Sequence, residues 1–292
     1  MALWQARHII SLLEPEHRGV EFRIVEISTR GDRDRETPLD QAGGVGMFVK
    51  GLEMALLDGH IDVAVHSLKD VPSRMAPNLA LAAVPRRADP RDTIVSARGA
   101  KLMALPAGSR IGTGSPRRQA QILMLRPDLE VVGIRGNVDT RLRKVGQALY
   151  DAVVLAAAGL VRLGRRDAIT EWLPPELMLP AAGQGALAVE VRADDGRMRA
   201  TAATANHPAS WAAAQAERGF MAHLAAGCHV PAAAYALVDR GQLWLRGLVS
   251  SRDGRIVIRA EGHSALPDAR RLGRRVADDL LERGGGPLVK PD

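Results

Sequence analysis

A chain of 292 residues, 46% hydrophobic and 25% charged, has the composition of a soluble globular protein of two or three domains, which excludes a disordered polymer. The net charge of +7 calls for an anionic partner, yet an aromatic content of 3% leaves few stacking platforms for single-stranded nucleic acid. A single cysteine, Cys228, excludes an intramolecular disulfide and a cysteine-rich metal site.

Residues 1–13 follow a helical pattern interrupted by Gln5, Arg7, His8 and Ser11, with no apolar core of a signal peptide, so a cytoplasmic location is expected. Residues 20–27 alternate Val20, Phe22 and Ile24 with Glu21 and Arg23, which predicts a strand. The stretch 40–50 is glycine-rich and lacks the Gly-Lys-Ser/Thr of a nucleotide-phosphate loop; it reads as a mobile lid or a simple connection before a helix over 46–57. A strand over 61–65 then runs into His66-Ser67-Leu68-Lys69-Asp70-Val71-Pro72. Ligands of open α/β sheets bind beyond the carboxyl ends of strands, so Ser67, Lys69 and Asp70 face a site or else form an ordinary loop ion pair.

Further short strands are predicted at 93–95, 110–112, 129–134, 151–155 and 186–191, with helices at 116–125 and 138–147. This alternation is that of parallel α/β domains. After the strand at 110–112, Thr113-Gly114-Ser115-Pro116-Arg117-Arg118 combines a capping serine, a proline at the first helical position and two guanidinium forks, a site for a carboxylate or phosphate or else a solvated basic helix end. Arg135-Gly136-Asn137-Val138-Asp139-Thr140-Arg141 repeats the arrangement, and Ala157 to Arg162 repeats it more weakly. Arginines in short groups at loop ends describe a cleft for a small polyanion rather than a stripe for duplex. No helix-turn-helix or zinc-finger spacing is present, and neither a nucleic-acid partner nor a metal is expected. The charge-free runs 200–216 and 219–238 are broken by Asn206, His207, Pro208, His223, Gly227 and Pro231, so no membrane span is expected.

Beyond residue 206 the alternation ends. A helix over 210–224, the loop Gly227-Cys228-His229-Val230-Pro231, strands at 242–249 and 255–260 and a basic helix over 267–283 predict a separate α+β domain. Cys228 alone reads as a small buried hydrophobe; its small neighbours and Pro231 equally suit a loop carrying a covalently held group.

Taken together, residues 66–72, 112–119, 135–137, 179–185 and 227–231 resemble the porphobilinogen deaminases in order and along the whole chain. The resemblance implies two type II periplasmic-binding-protein-like α/β domains and a small α+β domain: residues 1–85 with 186–205, residues 86–185, and residues 206–292. It implies a cytoplasmic, monomeric transferase that joins four porphobilinogen molecules head to tail into 1-hydroxymethylbilane with loss of ammonia. The cofactor would be dipyrromethane, attached by a thioether to Cys228. Asp70 corresponds to the catalytic aspartate. Ser67, Lys69, Thr113, Ser115, Arg117, Arg118, Arg135 and Gly136 correspond to cofactor-binding positions, and Gln5, Phe48, Arg141, Arg162 and Gln184 to substrate-binding ones.

The family pattern usually opens with a basic residue, Ile, a small residue, Ser or Thr, Arg, and then Ser-Pro-Leu-Ala before Leu-Trp-Gln, whereas Met1-Ala2-Leu3-Trp4-Gln5 starts inside it. The resemblance therefore implies that a first strand, with an Arg and a Ser of the cofactor site, is missing through a misassigned start codon or a truncated gene. Val45, Gly114 and Pro116 are smaller departures. Three other readings stand beside the active deaminase: an inactive truncated deaminase, a non-catalytic anion-binding protein of the same two-lobed fold, and a nucleic-acid-binding protein.

Overall fold

Helix α1, Ala2–Leu13, turns Ile9 and Leu13 into a core with Leu187, Val189 and Val191, so the apolar spacing of the first residues is used against a sheet rather than left in solvent. The chain is seen in a computed structural model, which describes residues 1–27, 46–225 and 230–289, the side chains of 46–48 excepted. The glycine-rich stretch up to residue 45, the Phe48 side chain and Cys228 thus lie outside the described residues.

After α2 (Gly46–Leu57), the first sheet is formed by β1 (Ala64–Ser67) and β2 (Leu79–Ala83) on either side of β8 (Leu187–Arg192), each antiparallel to it. This corrects the expectation of purely parallel pairing: β8 returns from elsewhere in the chain and runs against both neighbours. The strand expected over 20–27 is also corrected. Those residues carry no ladder pairing, and β1 has β8 as its sole partner strand among the described residues. Alternation alone does not make a strand when no edge bonds to it.

The second sheet has the order β5-β4-β6-β3-β7, from β3 (Asp92–Ser96), β4 (Arg110–Gly112), β5 (Glu130–Val132), β6 (Ala152–Ala156) and β7 (Glu171–Leu173). Strands β5, β4 and β6 are parallel and joined through helices α3 (Pro116–Leu125) and α4 (Val138–Gly146), whereas β3, the strand entering from the first lobe, lies antiparallel between β6 and β7. That insertion of one antiparallel entering strand is the type II periplasmic-binding-protein arrangement. Short apolar strands suit it because both faces are covered: Ile94, Ile111, Ile122 and Val154 pack on one side, and Val95, Ile134, Val153 and Leu160 on the other. Helix α5 (Ala157–Arg162) leaves β6 directly.

Helix α6 (Gly196–Ala203) returns along the first sheet, and α7 (Pro208–His223), the antiparallel strands β9 (Ala232–Asp239), β10 (Gln242–Ser250) and β11 (Val257–Ser264), and α8 (Ala269–Leu280) form the third layer. Phe220, Leu243, Leu245, Leu272 and Val276 fill its core. Glu217 of α7 ties the three parts together. Its buried carboxylate accepts from the Arg87 guanidinium at 2.6 and 3.3 Å, from Gly183 N at 2.6 Å and from Ala236 N at 2.7 Å. A carboxylate with charged and backbone donors on both oxygens is adequately compensated for burial. It fixes the third layer to the two segments by which the chain crosses between the first and second sheets.

Candidate functional site

Those crossing segments touch: Ala88 N donates to Gly185 O at 3.1 Å and the Arg87 Nε to Gln184 O at 2.8 Å. A cavity of about 230 Å³ opens where they meet the strand ends of both lobes. Gln5, Ser67 and Lys69 enter it from the first lobe; Arg118, Gly136, Asn137, Arg141 and Arg162 enter from the second. Strand ends from both lobes therefore converge on one site, as the positions of the loops required.

On the first-lobe side, Leu68 buries its side chain among Val71, Val84, Ala186 and Ala188, which pins a single turn, 68–70, at the end of β1. Leu68 N also donates to Ala186 O at 3.0 Å. The turn sets Lys69 in the lining of the cavity, while Asp70, next in the chain, is not among the residues that line it. Lys69 is open to cleft solvent but ringed by protein, and this confinement pushes its ammonium down to about 8, with the positive Arg118 and Arg117 adding to the effect and Asp70 and Asp92 opposing it. Burial likewise raises the Asp70 carboxyl above the ordinary aspartate value, against the pull of Lys69 and His66. Ser67 accepts a hydrogen bond from Gln5 Nε2 at 2.8 Å, which seats α1 on the site.

The close approach of residue 183 holds this turn from beneath. Gly183 has φ +74°, and a Cβ there would lie 2.8 Å from Leu68 Cγ and 2.9 Å from Lys69 N. Gly183→Ala is expected to cost about 1–3 kcal/mol of stability and to lower kcat more than it raises KM, because the displaced turn carries Asp70. Denaturant unfolding and steady-state kinetics on the same preparation check it.

On the second-lobe side, Asn137 caps α4 by accepting from Thr140 N at 2.9 Å, and Gly136, Asn137 and Val138 present that helix N-terminus to the cavity. Arg141, one turn in, donates from Nε to Gly136 O at 2.8 Å. Burial lowers the pKa of both Arg141 and Arg162, and the neighbouring charge of Arg118 lowers that of Arg141 further. Arg162 Nη2 donates to Gly185 O at 2.8 Å, while its Nε is buried without a hydrogen-bond partner among the described residues. Four cations and a helix N-terminus around one small cavity make it a strong site for carboxylates or phosphates.

Several expected site residues stand behind this wall rather than in it. Arg117 and Arg118 both bind Asp92, at 2.8 and 2.7 Å, and each also donates to a carbonyl, of Leu179 and Val154 respectively. They are buried, not a solvated helix end; Arg118 alone of the two lines the cavity. Gln184 is buried too, donating to Pro90 O at 2.7 Å and Asp92 Oδ1 at 2.9 Å. Pro116 occupies the first turn of α3 as expected, but Ser115 makes no side-chain cap there; Thr113 Oγ1 instead accepts from Ser115 N at 3.2 Å. Arg135 lies beside Gly136 in the loop before α4.

Sequence reasoning missed Asp92, whose carboxylate organises Arg117, Arg118 and Gln184. The two arginines and their hydrogen bonds hold it far below the usual carboxylate range despite its burial. It also missed the buried pair of His66 Nε2 with Glu190 Oε2, 2.8 Å apart, on the strands that carry the Lys69–Asp70 turn. Nothing local marks either residue, because their partners are distant in sequence. Among the described residues no group of His, Cys, Asp and Glu is arranged to hold a metal.

Two family models match the sequence: porphobilinogen deaminase, dipyromethane cofactor binding domain, over residues 1–200, and porphobilinogen deaminase, C-terminal domain, over residues 211–282. The porphobilinogen deaminase of Syntrophomonas wolfei is 45% identical over 289 residues, covering 99% of this chain and 94% of that protein. That of Geobacter sulfurreducens is 47% identical over 289 residues, covering 99% and 91%. Among solved structures, the BvgS VFT2 domain of Bordetella pertussis matches with a TM-score of 0.41 and 17% identity over 68% of this chain and 76% of that one.

Proposed function

The chain belongs to the porphobilinogen deaminase family, and from that premise we propose how its own residues carry the reaction. The transferase activity joins four porphobilinogen molecules head to tail into 1-hydroxymethylbilane and releases ammonia, with dipyrromethane as cofactor. The observation that carries the assignment of roles is the convergence of Lys69, Arg118, Arg141 and Arg162 on one cavity, with the buried Arg162 Nε unpartnered among the described residues. A donor set with cations in excess fits a chain of pyrroles, each bearing two carboxylates. Dipyrromethane, held through a thioether from Cys228, supplies the pyrrole end on which the product grows and keeps it attached between additions.

In this reading Arg118, Arg141 and Arg162 bind acetate and propionate side chains, with Lys69 adding charge and Ser67, Gln5, Thr113, Ser115, Arg135 and Gly136 orienting the rings. Arg117 and Gln184 act by fixing Asp92 and hence Arg118. Phe48, in the first turn of α2, is a substrate-binding position. Asp70 accepts from the pyrrole N–H of the incoming porphobilinogen. As the C–N bond of the aminomethyl group breaks and ammonia leaves with the electron pair, the cationic methylene-pyrrole is stabilised by the carboxylate. Once the new carbon–carbon bond has formed, the same carboxylate takes the proton lost from the attacked α-carbon. A low-dielectric cleft strengthens both interactions.

The reading takes the chain as three domains, residues 1–85 with 186–205, residues 86–185 and residues 206–292, and as a cytoplasmic monomer. The separate cores around Leu187, Ile94 and Phe220 support the division. One cysteine in 292 residues is in keeping with a reducing compartment, and no helix among the described residues is long and apolar enough to cross a membrane. Incubation with porphobilinogen is expected to release one ammonia per molecule consumed while hydroxymethylbilane accumulates. Binding without consumption contradicts the enzyme and favours an anion-binding protein of the same fold.

A further inference from the structure

Arg162 is held at one nitrogen and across one face of its guanidinium, and one of these contacts comes from the other lobe. Its guanidinium carbon lies 5.4 Å from the ring centroid of Trp4, a residue of α1, while Nη2 is bound to Gly185 O on the crossing segment. Trp4 stacks in turn on His8, one helical turn along, with centroids 5.0 Å apart and planes 18° from parallel. The indole is 38% exposed, so core packing does not account for its place. Met1 and Gln5, on the adjoining face of the same turns, line the cavity, and Gln5 binds Ser67.

We propose that Trp4 is a positioning residue for substrate: its indole braces the Arg162 guanidinium across the boundary between the lobes and presets it for a carboxylate. An aromatic face attracts a guanidinium without competing for its N–H groups, unlike an acidic partner, which would occupy the edge that the ligand needs. A long arginine held only at Nη2 would sample other rotamers, and binding would have to order it each time. His8 completes the brace as a neutral ring. Burial, and then the charge of Arg162, lower its pKa, so stacking adds no second cation beside the first.

The inference rests on the reading of Arg162 as a carboxylate-binding residue, and the experiment separates the two. Steady-state kinetics with porphobilinogen would compare Trp4→Phe, Trp4→Leu, Arg162→Ala and the Trp4→Leu/Arg162→Ala double variant, with unfolding midpoints measured alongside. Trp4→Leu keeps apolar bulk but removes the aromatic face. It is expected to raise KM about threefold to tenfold with kcat within about twofold. Trp4→Phe restores most of the loss, and Trp4→Leu adds nothing once Arg162 is alanine. An unchanged KM in Trp4→Leu, or an equal rise in the Arg162→Ala background, overturns the brace. An unchanged KM in Arg162→Ala overturns the carboxylate reading itself and the brace with it.

Discussion

Asp70→Asn is expected to lose turnover by a factor on the order of 10²–10⁴ while the protein folds normally. The carboxylate is the one acidic group of the 68–70 turn, next in the chain to the cavity-lining Lys69, and burial raises its pKa against the opposing charges of Lys69 and His66. A raised carboxylate pKa means that folding favours the protonated form. Ionised Asp70 therefore subtracts stability as pH climbs from its unfolded value through its folded one, and the neutral amide removes that penalty. Unfolding midpoints at neutral pH should be equal to or slightly above those of the parent, so lost turnover cannot be ascribed to lost structure. The pH profile follows from the same two residues. Activity falls in acid as Asp70 is protonated, at a pH above that of an ordinary aspartate, and falls in base as Lys69, with its pKa near 8, loses its charge. Near-parental kcat in Asp70→Asn contradicts the assignment.

The second large effect is on stability. Asp92→Ala leaves Arg117 and Arg118 buried without their counter-charge and removes an acceptor of Gln184. Breaking one side of a buried ion pair costs about 3–5 kcal/mol, enough to lower Tm by on the order of 10 °C. The carboxylate's depressed pKa sets the pH dependence. Its contribution is whole above about pH 4 and is lost as pH falls toward and through the folded value, so parent and variant should converge in strong acid. Because Arg118 lines the cavity, KM for porphobilinogen should rise as well. Urea unfolding at pH 7 and at the lowest pH that keeps the parent folded checks both halves; an unchanged midpoint at pH 7 contradicts the role.

Much of the site was legible because its signals are local. Strand, turn and helix start lie close together in the chain at 110–119 and again at 130–141, and β4 has the bounds read from sequence. Lys69 and Asp70 follow their strand directly. What was not legible depends on contacts across long stretches of chain: Asp92 reaches Arg117 and Arg118 across 25 and 26 positions and Gln184 across 92, and Glu217 reaches Arg87 across 130. The fold departed from sequence in the same way. Strand β9 begins with Ala232, Ala233 and Ala234, residues of low strand propensity, and forms because β10 pairs with it along its whole length. Residues 20–27 have the better strand pattern but no ladder partner among the described residues.

Cys228 is the one cysteine in 292 residues. In the proposed function its thiol carries the primer on which Asp70 and the clustered arginines act. Intact mass measurement of the purified protein tests that claim most directly. The mass should exceed that of the bare chain by two porphobilinogen units less the ammonia lost in attaching them, and Cys228→Ser should show the bare-chain mass and make no hydroxymethylbilane. A parent chain of bare mass that still consumes porphobilinogen, or a Cys228→Ser variant that still carries the adduct, would contradict it.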